Sequence, residues 1–347
     1  MTTQMASEIA EQPEAVARAL DAMRPLRPEL TKLAERSKQV LFVARGSSDN
    51  ACVYGRYLVE THAGRLGALA APSVATLYHA KLDLSDALVV CVSQSGETRE
   101  IVETLEWATA HGARTVAVTN DGESSLARAA DLPLVTHAGR ELAVPATKTY
   151  TTQLAAMVIL ATALSPELGH LDVELARVPG EMARLVAERA GVEEAAAALI
   201  DRPETLVSGR GLLFGTALEV ALKLEETCLR PVRGLSYADL KHGPIAVVDS
   251  EIAAVVVAPK DGPVRGGLTE VAGELRDRGA LTIGIGGDAD FAAACTLFVP
   301  GPDLTEAVAP LATVVPGQLM VEELARRLGL DPDAPRGLSK ITQTDQQ

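Results

Sequence analysis

The sequence predicts an α/β protein in which one strand–helix unit is written twice, each copy a mainly parallel sheet flanked by helices on both faces. Three observations carry that expectation. Short apolar runs alternate with helix-length amphipathic segments along the chain. Stretches of the first half recur in the second at a nearly constant offset. Aromatic residues make up only 3% of a 347-residue chain that is 47% hydrophobic. Its core must therefore be packed from Ala, Val and Leu, which suits α/β layers better than an aromatic-rich sandwich.

The repeat fixes the central elements. V-L-F-V-A-R-G at 40–46 has a counterpart in T-L-V-S-G-R-G at 205–211, with Arg45 and Arg210 lying 165 positions apart (210 minus 45). A-L-V-V-C-V-S at 87–93 is echoed by A-A-V-V-V-A-P at 253–259, where Val90 and Val255 show the same offset, and H-G-A-R-T-V-A-V-T-N-D at 111–121 is echoed by R-G-A-L-T-I-G-I-G-G-D at 278–288. V-L-F-V-A and L-V-V-C-V are β-branched runs short enough to be buried strands. The segment 97–112 places Ile101, Leu105 and Ala108 on one helical face and closes on Gly112 as a cap.

Residues 1–35 read as helical, from Ala15 to Met23 and from Glu29 to Arg36 with prolines between. The organisation that follows is a helical start at 1–35, a first α/β copy at 36–165, a helical connection at 166–200, a second copy at 201–330 and a tail at 331–347. The prolines and polar residues of the tail forbid a regular element, and by themselves suit a disordered end.

Charge and composition exclude several functions. A net charge of −14 and a pI near 5.0 argue against nucleic acid or an anionic membrane as partner. The N-terminus has neither a basic nor an apolar signal-peptide region, and the longest apolar stretch, 154–164, is about half of what a membrane span needs. Cys52, Cys91, Cys228 and Cys295 form no C-x-x-C pair and lie in apolar surroundings, as buried free thiols of a reducing compartment would. A cytoplasmic protein is expected. No His/Cys/Asp spacing suggests a metal and no cofactor is expected. G-R-G-L-L-F-G at 209–215 is not a dinucleotide fingerprint, because Phe214 stands where the third glycine belongs.

Two segments carry chemistry. S-Q-S-G-E-T at 93–98 follows a strand and opens a helix. The unpaired amides of a helix start point outward with partial positive charge and accept an anion. Ser93, Ser95 and Thr98 add hydroxyl donors, and Gly96 lets the backbone approach a ligand. The plain alternative is an N-capping serine beside a turn glycine. A-R-G-S-S-D-N-A at 44–51 resembles this loop, with Ser47 and Ser48 at another strand end, whereas the second copy reads G-R-G-L-L-F-G and A-P-K-D-G-P there and has lost the serines. Further on, A-L-E-V-A-L-K-L-E-E-T-C-L at 217–229 is a helix with Ala217, Ala221, Leu224 and Cys228 on one side and Glu219, Lys223 and Glu226 on the other. From periodicity alone the charged side is a solvated face with an i,i+4 pair, and the lone histidine of K-H-G-P at 241–244 is structural.

A resemblance lifts these residues above those plain readings. R-G-S-S at 45–48, S-Q-S-G-E-T at 93–98, A-T-K at 146–148, A-L-E-V-A-L-K-L-E-E at 217–226, K-H-G-P at 241–244 and G-L-S-K-I-T at 337–342 occur in order, and the likeness runs from E-I-A-E-Q-P at 8–13 to the tail. Together they resemble the SIS (sugar isomerase) family, specifically its tandem members: the isomerase half of glucosamine-6-phosphate synthase and the SIS-type glucosamine-6-phosphate deaminases. The resemblance implies two tandem SIS domains, each with a five-stranded sheet, and a homodimer. It implies that Ser47, Ser48, Ser93, Gln94, Ser95, Gly96 and Thr98, with Val144 and Ala146, bind the sugar and its phosphate. It further implies that Glu226 shuttles a proton between C1 and C2 of the opened sugar and that Glu219 and Lys223 orient it. His242 would assist ring opening, often from a neighbouring subunit, and Lys340 in the tail would engage the open-chain carbonyl.

Two departures from the synthase bear on activity. Ala146 stands where the synthase has a serine, and residue 2 is Thr, with no glutaminase segment before the SIS unit, so ammonia would not come from glutamine within this sequence. R-G-S-S-D, A-A-P-S-V-A-T-L-Y and A-T-K-T-Y look closer to the deaminase branch. The expected reaction is conversion of an amino-sugar 6-phosphate, glucosamine 6-phosphate first, to fructose 6-phosphate and ammonia. A fructosamine-6-phosphate deglycase, an aldose–ketose isomerase and a non-catalytic sugar-phosphate sensor are the alternatives.

Overall fold

The strands that the repeat marks lie at the centre of two sheets in a computed structural model that describes residues 2–340 and 342–343. The first sheet contains β1 (Gln39–Val43), β2 (Leu66–Leu69), β3 (Ala87–Val92), β4 (Arg114–Thr119) and β5 (Leu132–Val135) in the order β2-β1-β3-β4-β5. The second contains β6 (Thr205–Gly209), β7 (Val232–Ser236), β8 (Ala253–Ala258), β9 (Leu281–Gly286) and β10 (Leu297–Val299) in the order β10-β9-β8-β6-β7. Read from the opposite edge, the second order is the same as the first. Every pairing in both sheets is parallel. Even the register repeats: Val40 pairs with Leu88, and Thr205 with Ala253, each 165 positions further on.

The chain divides into two compact units. One holds the first sheet and comprises residues 14–141, 148–172 and 339 onward; the other holds the second sheet and comprises residues up to 13, 142–147 and 173–338. The first helix, Gln4–Ala10, thus belongs to the second-sheet unit, whereas Gln12–Met23 runs on into the first. Helix Arg27–Leu33 follows where the sequence suggests one from Glu29 to Arg36, with Pro28 tolerated in its first turn.

The central strand of each sheet is buried on both faces. All six residues of β3 and of β8 are buried, as expected of strands between helical layers. In the first unit, Val89 and Cys91 pack with Ile101, Leu105 and Ala108 of the Arg99–Ala110 helix. That helix ends as the sequence suggests: Gly112 takes φ +92° just beyond it, and the Ala113 amide returns to the Ala108 carbonyl. Helices Ser47–Thr61 and Lys148–Leu164 pack together in the same unit, and all 17 residues of the latter are buried, which explains its unbroken apolar run. In the second unit, Ala254 and Val256 face Leu268, Val271 and Leu275 of the Arg265–Asp277 helix.

The edge strands β2, β5, β7 and β10 leave little trace in the sequence. β2 reads only L-G-A-L and β10 is three residues long, too short for a pattern. Cys52, Cys91 and Cys228 are buried free thiols as expected; Cys295 is free but half-buried.

Helix Phe214–Cys228 packs against helix Pro310–Arg327 through Gly317, where an added Cβ would stand 2.6 Å from Cγ2 of Val220. Val220 neighbours Glu219, so the fit at Gly317 sets how deeply the charged row of that helix sits. Gly317→Val is expected to lower stability by about 1–3 kcal/mol through overpacking, read as a drop in thermal midpoint.

Candidate active site

In the first-sheet unit, β1 and β3 are neighbours whose following helices leave in different directions, so their carboxyl ends flank a crevice. The β1 side is a turn at Gly46, with φ +58°, that leads straight into helix Ser47–Thr61. Ser47 and Ser48 therefore occupy its first turn, Ser48 buried and Ser47 half-buried. On the β3 side, Ser93 is buried, Gln94, Ser95 and Thr98 are half-buried, and helix Arg99–Ala110 begins immediately afterwards. Thr98 takes an extended conformation as the N-cap residue, and its carbonyl accepts from Ile101 and Val102.

The Ser93–Thr98 loop is held from beneath by the segment after β4. The Asn120 amide donates to the Gln94 carbonyl at 3.1 Å and the Leu126 amide to the Gly96 carbonyl at 3.0 Å. Ser125 donates its amide and hydroxyl to the Glu97 carboxylate at 2.8 and 2.9 Å, which holds that carboxyl below its ordinary pKa. Within the loop, the Gly96 amide donates to Ser93 Oγ at 3.2 Å, and Ser93 Oγ lies 3.3 Å from Thr98 Oγ1. Gly96 takes φ +66°, and an added Cβ would stand 2.1 Å from Ser124 Oγ. Only glycine fits. Arg45 makes two hydrogen bonds to Glu100, at 2.8 and 3.1 Å, tying the two strand-end segments together.

The tail residues of this unit meet the same features. The Arg99 amide donates to Gln343 Oε1 at 3.1 Å, and Gln343 Nε2 donates to the Glu97 carbonyl at 3.3 Å. Lys340 Nζ lies 2.7 Å from Glu141 Oε2, a carboxylate that also accepts from Thr149 N and Oγ1 at 3.1 and 2.6 Å. Glu141 is the partner of Lys340 that sequence reasoning missed. It lies in a loop without periodicity, and its only signal would have been a carboxylate just before the A-T-K segment.

In the second-sheet unit, the helix that carries Glu219, Lys223 and Glu226 corrects the periodicity reading. These residues do not form a solvated face. Glu219 and Lys223 are 0% and 1% exposed, and only Glu226 reaches out, at 25%. Lys223 Nζ lies 3.5 Å from Glu219 Oε1 and is ion-paired with Glu226. Two carboxylates and one ammonium out of water are tolerated because the lysine serves both; Glu226 is thereby held in one orientation at the end of a buried row.

Val144 and Ala146 are half-buried in a segment without regular structure. The Val144 amide donates to the Asp333 carbonyl at 2.8 Å, and the Asp333 carboxylate takes the Gln4 and Met5 amides at 2.8 and 2.7 Å, so this part of the tail, the 142–147 segment and the first helix are tied together. Glu8, fully buried, accepts the Leu142 and Ala143 amides. His242 is exposed on the turn after helix Tyr237–Lys241, and no hydrogen bond joins its ring to the Glu219–Lys223–Glu226 row among the described residues.

Comparison with known proteins places this geometry in a family. The SIS domain family matches residues 33–163, which span the first sheet. A protein described as a phosphosugar isomerase from Silicibacter pomeroyi DSS-3 is 34% identical, with a TM-score of 0.87 over 95% of this chain and 100% of that one. The chain belongs to the SIS family of phosphosugar isomerases. The C-terminal domain of glucosamine-fructose-6-phosphate aminotransferase from Francisella tularensis superimposes with a TM-score of 0.84 at 28% identity, over 96% of this chain and 99% of that one. Glutamine–fructose-6-phosphate aminotransferase of Thermococcus kodakarensis is 34% identical over 97% of this chain, which spans 57% of that relative's length. No helix of the described residues is long and apolar enough to cross a membrane.

Gly96→Ala tests the SIS loop directly. The substitution forces a left-handed residue and a clash with Ser124, and is expected to abolish the thermal stabilisation conferred by a sugar phosphate while far-UV circular dichroism is retained.

Proposed function

We propose that this chain is an amino-sugar-phosphate isomerase that deaminates its substrate, converting glucosamine 6-phosphate and water to fructose 6-phosphate and ammonia. The observation that carries the reading is the Glu219–Lys223–Glu226 row, in which two buried side chains hold one oriented, part-exposed carboxylate. Moving a proton from C2 to C1 of an open-chain sugar requires a positioned carboxylate of this kind. The C2 proton passes to Glu226 and returns at C1 while one amine proton ends on the C1 oxygen, so the aldehyde becomes a hydroxymethyl group and the C2 amine an imine. Water then adds at C2, supplies the ketose oxygen and displaces ammonia.

The other assignments belong to the same proposal. The phosphate is held by Ser48, Ser93, Ser95 and Thr98, with the amides of Ser47 and Gln94, while Gly96 gives the loop its turn; the helix-start amides and hydroxyls support this. Lys340 engages the open-chain carbonyl, and its present partner Glu141 holds that ammonium in place. We read both sheets as copies of one SIS domain, supported by their common strand order and 165-residue offset. The exposure of His242 supports a homodimer in which it serves the sugar bound by a second copy.

The deciding experiment supplies glucosamine 6-phosphate and follows ammonia and fructose 6-phosphate together. Equimolar release of both is expected. Binding without ammonia would favour a sensor, and ammonia from a fructosamine phosphate alone would favour a deglycase. Glu226→Gln is expected to lower kcat by at least about a thousandfold while the thermal shift on adding fructose 6-phosphate survives. An active Glu226→Gln enzyme would remove Glu226 from the mechanism.

A further inference from the structure

The second sheet has the same crevice as the first, and it is filled. β6 and β8 are neighbours as β1 and β3 are, and the loops after them again turn on glycines with positive φ. Gly211, at φ +63°, stands 165 positions after Gly46, and Gly262, at φ +93°, stands 166 after Gly96. Between these two loops lies the side chain of Glu306. A Cβ on Gly262 would stand 2.0 Å from its Oε2, and one on Gly211 would stand 3.2 Å from its Oε1. The Leu212 amide donates to the carboxyl group, and the Glu306 amide donates to Asp261 Oδ1 at 3.0 Å. Leu212 takes the place in this loop that Ser47 takes in the first, again 165 positions earlier.

We propose that Glu306 is a built-in occupant of this crevice, its carboxyl group standing between the two strand-end loops and closing the second sheet to sugar phosphates. The proposal rests on reading Ser93–Thr98 as the phosphate site. Loss of the serines alone does not account for a closed second crevice, because backbone amides accept anions without hydroxyls. The Leu212 amide is already serving one carboxyl group, supplied by the chain itself.

The electrostatics agree with the geometry. Burial, and then the neighbouring Asp261, push the Glu306 carboxyl up to about 7, against the pull of the Leu212 amide. The other charges of these loops are engaged elsewhere: Lys260 pairs with Asp303, which also pairs with Arg177, and Arg210 lies over the Tyr237 ring. A carboxyl held above its ordinary value stabilises the fold while protonated, and that contribution disappears as the pH rises from about 4.5 through about 7.

Calorimetric titration with fructose 6-phosphate tests the proposal. The wild-type chain is expected to bind one equivalent and Glu306→Ala two; Ser95→Ala/Thr98→Val should bind none, and the combined variant one. A folded Glu306→Ala chain that still binds one equivalent would overturn the proposal. Retention of the wild-type equivalent by Ser95→Ala/Thr98→Val would instead overturn the phosphate-loop reading. Should Glu306→Ala fail to fold, Glu306→Gln keeps the shape without the titration: its thermal midpoint is expected to lose the decline expected of the wild type between about pH 4.5 and pH 7. An unchanged decline would show that Glu306 is not the half-buried, raised carboxyl described, and the proposal would fall.

Discussion

The strand order 2-1-3-4-5 is the constraint on which the rest depends. In a parallel sheet wound in this order, the chain leaves the first and third strands toward opposite faces, and no connection covers the gap between their carboxyl ends. Each sheet of this protein has one such gap. In one, Ser47, Ser48 and the Ser93–Thr98 loop gather hydroxyls and amides; in the other, Glu306 lies between the loops. Identical backbone topology thus ends in two electrostatic outcomes, decided by a few side chains. The glycines that make both turns are common to the two crevices, because a left-handed backbone is needed wherever a strand must turn this sharply into a helix.

The second theme is buried charge. Glu8, Glu219, Lys223 and Glu141 are withdrawn from water at a cost that burial of an isolated ion would make prohibitive. Each has a visible compensation. Glu8 takes two amides, Glu141 takes an amide, a hydroxyl and an ammonium, and Lys223 serves two carboxylates. Such groups contribute little net stability; their effect is to hold backbone segments and the Glu226 carboxylate in a defined place. The tail is organised in the same way: Asp333 caps the first helix, and Lys340 and Gln343 meet the first-sheet unit. A stretch without secondary structure acquires a definite path from polar contacts alone.

Much of the fold was legible because burial on both faces writes a strand as an uninterrupted β-branched run. β3 and β8 are such runs, and the repeat brought out the more broken apolar stretches of β1, β4, β6 and β9 beside them. β2 and β10 are short and half-exposed, and nothing in L-G-A-L or L-F-V separates them from a loop. The charged row of helix Phe214–Cys228 misled periodicity for a related reason. A helical wheel records which residues share a side, not whether that side meets water or protein, and helix Pro310–Arg327 packs against this helix. Glu141 and Glu306 were invisible for want of any pattern: each matters only through the residues it meets, eight or more positions away.

By itself, then, the sequence determined the alternation of strands and helices, the recurrence of the strand runs and the two serine-bearing loops at strand ends, since these depend on local composition and short-range spacing. The tertiary structure decided how each was used. It buried Glu219 and Lys223 beneath Glu226, gave Lys340 its carboxylate, and set Glu306 between the loops of the second crevice, because those outcomes depend on which distant side chains the packed sheets bring within a few ångströms.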